Sequence, residues 1–462
     1  MSVSGTTPPG HGAGFRRSIG LFSATAINMT QMCGIGPFIT IPLMVAAMGG
    51  PQAVVGWIAG AVLAVADGMI WAELGAAMPG SGGTYVYLRE AFQYRTGKLM
   101  PFLFIWTVLL ATPLTMSTGI IGMVEYLQFF FPHLSWLAAH AIGVAATVVV
   151  VFLLYRRIES IRSITIALWV VMLVSVVGVS AAGLSNFHAD LAFSYPPDAF
   201  GSHFFMGLGA GLVIGIYDYL GYFTTAYMGD ELRDPGRTMP GSIIISVIAM
   251  MCIYLVLNIC VLGVVPWREI AESKSIASLV VEHSWGHAMA SVMTVLIIVT
   301  AFASVFAGLL GGSRVPYQAA HEKVFLSVFG RLHARHGFPH VALVTMGVVT
   351  AIGTFFDLNE VINMLLTASI IVQSIAQIAA LVVLRKHQPG LERPYRQWLY
   401  PVPCVIALFG WLYVYVSAST LSLVLSGTWI LAGLVVFMAW AKLNKSWPFA
   451  PVEVREAYLG SS

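Results

Sequence analysis

Unbroken apolar runs constrain this chain more than any other feature: stretches of about 20 residues or more recur from residue 18 to residue 443 with almost no charge inside them. Runs of that length fit the ~30 Å hydrocarbon core of a bilayer crossed as helix. Only helices and closed barrels satisfy every backbone N–H and C=O in hydrocarbon, and barrel strands alternate apolar and polar over about 10 residues. These runs do not alternate, so the reading is an all-α membrane protein. Composition agrees: with 58% of the 462 residues hydrophobic and 9% charged, there is too little polar surface to cover a water-soluble body, where charge runs near 25%.

Apolar windows bounded by charge or turn residues predict twelve spans, at 18–48, 52–78, 99–131, 135–155, 161–184, 204–228, 238–264, 287–312, 340–356, 360–384, 400–424 and 427–443. The positive-inside rule tests this map independently. With the N-terminus inside, only Arg268 and Lys274 fall in outer loops; the other 21 of the 23 basic residues fall on the inner side. Both termini are therefore expected in the cytoplasm, in a cell (cytoplasmic) membrane. Residues 1–15, rich in Gly, Ser, Pro and Thr, read as a short disordered tail, 16–445 as one transmembrane domain, and 446–462 as a second tail. The apolar stretch after Arg16-Arg17 is far too long for the h-region of a cleavable signal. Cys33, Cys252, Cys260 and Cys404 all lie in apolar runs without CxxC spacing and read as small core residues.

Two spans are interrupted near their centres. The first reads Asn28-Met29-Thr30-Gln31-Met32-Cys33-Gly34-Ile35-Gly36-Pro37-Phe38, and the sixth reads Gly215-Ile216-Tyr217-Asp218-Tyr219-Leu220-Gly221. They head two five-span units, about 18–184 and 204–384, followed by two extra helices at about 400–443. Because five is odd, the second unit would be inverted. Paired broken helices at corresponding positions point to a transporter's central site. Against this, Gly207, Gly211 and Gly215 also have the small-xxx-small spacing of close helix packing. Pro37, a preferred first residue of a restarting helix, favours the functional reading of the first break.

Here the chain resembles the amino acid–polyamine–organocation transporters over nearly its whole length. Gly34-Ile35-Gly36-Pro37-Phe38 looks like the family's G-S-G-I-F break. Ala72-Glu73-Leu74-Gly75-Ala76-Ala77-Met78-Pro79-Gly80-Ser81-Gly82-Gly83-Thr84-Tyr85 looks like its A-E-L-x-x-x-x-P-x-x-G-G-x-Y signature. Gly229-Asp230-Glu231-Leu232-Arg233-Asp234-Pro235-Gly236-Arg237-Thr238-Met239-Pro240 resembles A-E-E-x-x-N-P-x-R-x-x-P, with Ser313-Arg314 and Arg393-Pro394-Tyr395-Arg396 as further landmarks. The resemblance implies twelve helices, a 5+5 inverted repeat of the LeuT type (one of the handful of systems from which that design is known), and alternating access around a midplane site. It also implies an amine-bearing substrate, commonly an amino acid.

A broken helix exposes orphan N–H and C=O groups where no water can reach them. The N-terminal end of the second half suits a carboxylate. Ile35 and Gly36 would supply donors, Gly34 would let a ligand approach, and the carbonyls near Cys33 and Ile216 would take an ammonium; Pro37 has no N–H to offer. The candidate substrate residues are thus Cys33, Gly34, Ile35, Gly36, Ile216, Tyr217, Asp218 and Gly221. Asp218 departs from the family, where a small apolar residue is usual. An intramembrane acid faces a cavity or a partner, so it is read either as a substrate or proton contact or as an internally hydrogen-bonded group. The family's F-x-G-[FW]-E acid is absent, since Phe223 stands in its place. Asp67, where plant polyamine carriers have a similar acid, is the other proton-coupling candidate, weighed against a structural polar contact. Glu73 is expected to brace or gate.

The remaining functional classes find less support. Span 5 has no Lys, and Ala303-Ser304 offers one hydroxyl where sodium-coupled members have two. His321, His333 and His336 fit no metal motif and read as a solvated inner face. No phosphate-binding loop is present, no nucleophile–base pair suggests an enzyme, and neither cofactor, metal nor nucleic acid is implied. The expectation is a secondary carrier of amino acids, proton-coupled, with a polyamine or organic-cation carrier, an amino acid exchanger and a non-transporting sensor as alternatives. Oligomeric state is not legible.

Overall fold

The computed structural model describes residues 19–79, 83–155, 161–202, 204–334, 338–451 and 453. The expected tail 1–15, Gly80, Ser81 and Gly82 of the second motif, Arg335 and His336, and the greater part of the tail 446–462 lie outside the described residues. Among the described residues every regular element is helical, and β-type pairing is confined to one bridge between Ile19 and Leu232.

The first apolar run forms α1 (Leu21–Met32) and α2 (Gly36–Met48), which meet at 57°. Pro37 sits in the first turn of α2, where its missing N–H disturbs nothing. Next come α3 (Ala53–Ala77), α4 (Thr84–Thr96), α5 (Leu99–Leu127), α6 (Trp136–Leu154), α7 (Ile161–Ser185) and the single turn α8 (Ala189–Ala192). The helix α9 (Phe204–Tyr219) stops and continues as a 3-10 segment, Thr224–Glu231. Beyond it lie α10 (Pro235–Leu262), α11 (Trp267–Glu272), α12 (Ile276–Trp285), α13 (His287–Gly312), α14 (Arg314–His321) and α15 (His340–Gly353). The helix α16 (Leu358–Ser369) passes through a π-helical turn at Ile370–Ile375 into α17 (Ala376–His387), and α18 (Val402–Ser417) and α19 (Thr420–Leu443) complete the chain. Among the described residues, eight helical stretches are long and apolar enough to cross a membrane, nine with the bent α1–α2 pair, and residues 170–185, α15 and α18 are shorter apolar helices.

Small residues set the central packing. A Cβ on Gly215 of α9 would lie 3.0 Å from the Gly56 carbonyl oxygen of α3, and one on Gly60 would lie 3.2 Å from the Gly215 carbonyl carbon. A Cβ on Gly207 would come within 2.9 Å of the Ala47 carbonyl oxygen. The packing alternative is therefore what these glycines serve: backbones touch where hydrophobic driving force between helices is weak. Around this centre α5 packs on α13, α15 and α16. The bundle's outer faces expose Val148, Val177, Ile352, Leu431 and Val435, side chains suited to lipid.

At one end of the bundle Glu73 joins three segments. Its carboxylate receives Nε and Nη2 of Arg385 at 2.7 and 2.5 Å and the Gln397 backbone N–H at 2.9 Å, with Arg393 at 3.8 Å. Arg385 also lies 3.8 Å over the Tyr400 ring. This is a paired, forked ion cluster in an otherwise apolar setting, the arrangement in which a buried charge is tolerated. Burial pushes the nearby Tyr395 hydroxyl up to about 12, and the Glu73 carboxylate adds to the shift.

The structure departs from the sequence map in three places. Cys252 is exposed on α10 rather than in the core. The last two helices are divided at Ala418–Ser419, not at Leu425-Ser426, because the Ser419 hydroxyl caps α19 by accepting from the Ser422 N–H and donates to Glu360 at 2.6 Å. The sixth-run interruption falls after Tyr219, a few residues beyond the expected centre.

Glu73→Ala leaves two arginines at the cluster without their acid and is expected to cost about 3 kcal/mol. A lower unfolding midpoint in detergent would register the loss; an unchanged midpoint would remove the cluster as a brace.

Candidate functional site

The two interruptions abut. Gly221 has φ +114°, and a Cβ there would sit 2.7 Å from Gln31 Cβ and 3.0 Å from its carbonyl carbon, so glycine is required by both conformation and space. Each helix ends with carbonyls that lack intrahelical partners. Tyr254 of α10 meets both ends: its hydroxyl is 2.9 Å from the Met32 carbonyl oxygen and 2.9 Å from the Asp218 carbonyl oxygen, one proton shared between the termini of α1 and α9. Asn28 ties α1 to the 3-10 segment, accepting from the Thr225 N–H at 3.0 Å.

Asp218 lies in the last turn of α9 and is 2% exposed. Its Oδ2 accepts from the Thr40 hydroxyl of α2 at 2.5 Å. Its Oδ1 is buried without a hydrogen-bond partner among the described residues, and it rests against Gly36, where any Cβ would collide with it. The carboxylate therefore stands beside the start of α2, whose first turn has no side-chain cap. Tyr217 reaches the other way, its hydroxyl 2.6 Å from that of Thr118 on α5.

Asp67 of α3 receives three donors. Trp411 Nε1 donates to Oδ1 at 2.9 Å, while Trp71 Nε1 and the Tyr222 hydroxyl donate to Oδ2 at 2.9 and 2.5 Å. This carboxylate thus links α3, α18 and the stretch just beyond the α9 break. Trp71 stacks on Phe223 at 4.4 Å and 9°, with Tyr227 5.7 Å from Trp71, which makes an aromatic wall.

A cavity of about 630 Å³ runs between these groups. Cys33, Gly34, Ile35, Gly36, Tyr217, Asp218, Gly221 and Asp67 line it. Ile216 does not: it is inside α9 with its side chain in the core, and the carbonyl that Tyr254 meets at that helix end belongs to Asp218. Thr40, Thr118, Tyr222, Tyr254 and Trp411 escaped the sequence reading. A solitary hydroxyl or indole in an apolar run was their signal, visible in Ile39-Thr40-Ile41 and in Tyr254 among the aliphatic residues of α10. Of the histidines read as an inner face, His333 stacks on Phe338 at 5.4 Å and His321 meets Tyr317 edge-on at 4.5 Å.

Comparison with known proteins decides the family: the family model described as "Amino acid permease" matches residues 19–440. This chain belongs to that family. Within it, the chain is 22% identical to the branched-chain amino acid permease BcaP of Bacillus subtilis (strain 168), over 92% of this chain and 93% of that one. It is 27% identical to the Asc-type amino acid transporter 1 of Mus musculus, over 85% of this chain and 75% of the relative. Among solved structures, Mhp1, a nucleobase-cation-symport-1 family transporter in a closed conformation with bromovinylhydantoin bound, superposes with a TM-score of 0.53 at 15% identity, covering 97% of each chain. That likeness shows a shared fold. As a member of the amino acid permease family, the chain is a multi-pass membrane transporter and not an enzyme.

In this permease Gly36→Ala is expected to push Asp218 from its seat against α2 and to abolish ligand binding, while insertion and folding persist. Ligand-induced thermal stabilisation in detergent that survives the substitution would show that the Gly36–Asp218 contact is not part of the site.

Proposed function

We propose that this permease is a secondary active carrier of amino acids across the cytoplasmic membrane, working by alternating access with a proton as the coupling ion. The observation that carries the reading is the meeting of the α1–α2 and α9 breaks on one cavity, since irregular backbone is tolerated in a membrane only where protein or a cavity covers it. The ligand's carboxylate would be received by the backbone donors of Gly34, Ile35 and Gly36 at the start of α2, and its ammonium by the carbonyls at the ends of α1 and α9.

A twelve-span arrangement as two inverted five-helix units with two added helices is supported by the placing of the breaks and of the connecting helices. One amphipathic helix, α4, follows α3, and the pair α11 and α12 follows α10, at corresponding places in the two units. Cavity-lining positions on α13 run from Thr300 to Gly312, toward the end shared with α14. The basic residues concentrate at that end, which with both termini cytoplasmic supports a cavity directed inward.

Proton coupling is supported by the chemistry of Asp67. With its oxygens facing two indole N–H groups, which only donate, and one phenol, a proton added at Oδ2 obliges Tyr222 to turn its own hydroxyl away. Protonation thereby reaches the chain just past the α9 break. A carrier of polyamines or other organic cations is the second reading, favoured by the unpaired Oδ1 of Asp218.

Uptake of a pooled labelled amino acid set and of labelled putrescine into proteoliposomes, with and without an inward proton gradient, tests the proposal. Gradient-dependent amino acid accumulation is expected. Flux only against internal substrate would mean exchange, and binding without flux would mean a sensor. Asp67→Asn is expected to flatten the pH dependence of uptake; an unchanged profile would dismiss Asp67 as the coupling group.

A further inference from the structure

We infer that Asp218 is a charge selector, and that the preferred ligand is an amine with net positive charge rather than a neutral zwitterion. The inference rests on the cavity being a substrate site, as proposed above, and concerns which class of amine the site takes.

The argument is a charge inventory. Among the described residues lining the cavity, the ionisable acids are Asp67 and Asp218, and there is no Lys, Arg or His. Asp67 is satisfied within the protein by three donors on two oxygens. Asp218, which also lines the cavity, is not: Thr40 serves Oδ2, while Oδ1, buried against Gly36, accepts from no described group. An unpaired buried acceptor is costly, and a charged one more so, unless something brings a donor to it. A zwitterionic amino acid would arrive with an ammonium that could serve Oδ1. It would also bring its own carboxylate to the start of α2, beside the carboxylate already resting against Gly36. Two acids would then face one ammonium with no other cation lining the cavity. A ligand carrying one further positive charge, or lacking the carboxylate, restores balance.

The aromatic wall agrees with this sign. Trp71 and Phe223, stacked at 4.4 Å, and Tyr227 line the same cavity. Indole and phenyl faces attract ammonium groups and repel anions. Two ligand chemistries share the required feature: a diamino acid such as lysine, and a carboxylate-free amine such as tyramine.

The test is competition and uptake in proteoliposomes of the full chain, with lysine, tyramine and leucine as probes. Wild type is expected to prefer lysine or tyramine over leucine by about 10- to 100-fold, the range of a buried hydrogen bond to a charged group. Asp218→Asn, which keeps the shape and removes the charge, is expected to lose that preference and gain leucine uptake. Lysine taken without tyramine places the ligand carboxylate on α2; tyramine taken without lysine gives that position to Asp218 alone. Both patterns support the inference. Leucine carried by wild type as well as either cation overturns it while leaving the carrier reading intact, and this comparison does not depend on the variant folding. Absence of flux and of ligand-induced stabilisation for all three probes would remove the site reading itself, and the inference with it.

Discussion

The rest of this structure depends on one constraint: a polypeptide cannot leave backbone polar groups bare in hydrocarbon, yet α1 and α9 both stop partway along apolar runs. The molecule resolves this by setting the two stops against each other and covering them from α10. The Tyr254 hydroxyl between the Met32 and Asp218 carbonyl oxygens is the smallest expression of that solution. One phenol proton cannot fully satisfy two carbonyls, so the helix ends keep acceptor capacity. What is left over from covering the breaks is what a ligand can use.

The two acids follow opposite logics although both are buried near the same cavity. Asp67 is enclosed by donors from three parts of the chain and acts first as a fastening between them. Asp218 is fixed by a single hydroxyl and keeps one oxygen unspent. Their sequence contexts look alike, each an acid in an apolar run, and hydropathy alone treats them as equivalent. Environment separates them.

Much of the fold was legible because the governing signal, apolar length, acts locally along the chain. The break in the first run was readable residue by residue: Gly34, Gly36 and Pro37 are the residues a restart needs, and α2 begins at Gly36. The second break was located less well, since no proline marks it; it falls where Gly221 must adopt positive φ against Gln31, a requirement created by a partner far away in sequence. The same holds for the site. Asp67, Asp218 and the first-break residues were legible as chemistry out of place. Thr40, Tyr222, Tyr254 and Trp411 were not, because a hydroxyl or indole in a membrane helix acquires meaning only from what stands opposite it. The division of α18 from α19 was missed for a similar reason: Ser419 is marked as a cap by Glu360, from another helix.

The glycine seam between α3 and α9 has a mechanical consequence. Side chains at an interface act as adjustable spacers that can change rotamer as helices slide. At Gly215 a Cβ would meet the Gly56 carbonyl oxygen at 3.0 Å and at Gly60 the Gly215 carbonyl carbon at 3.2 Å, with Met44 of α2 filling the space beside them. There is little room for a spacer between these two helices, so sliding one along the other would drive backbone into backbone. The stretch from Leu220 to Phe223 is held to α3 at its far end, through Asp67 to Tyr222 and Trp71 to Phe223, so α3 spans the break in α9 like a splint.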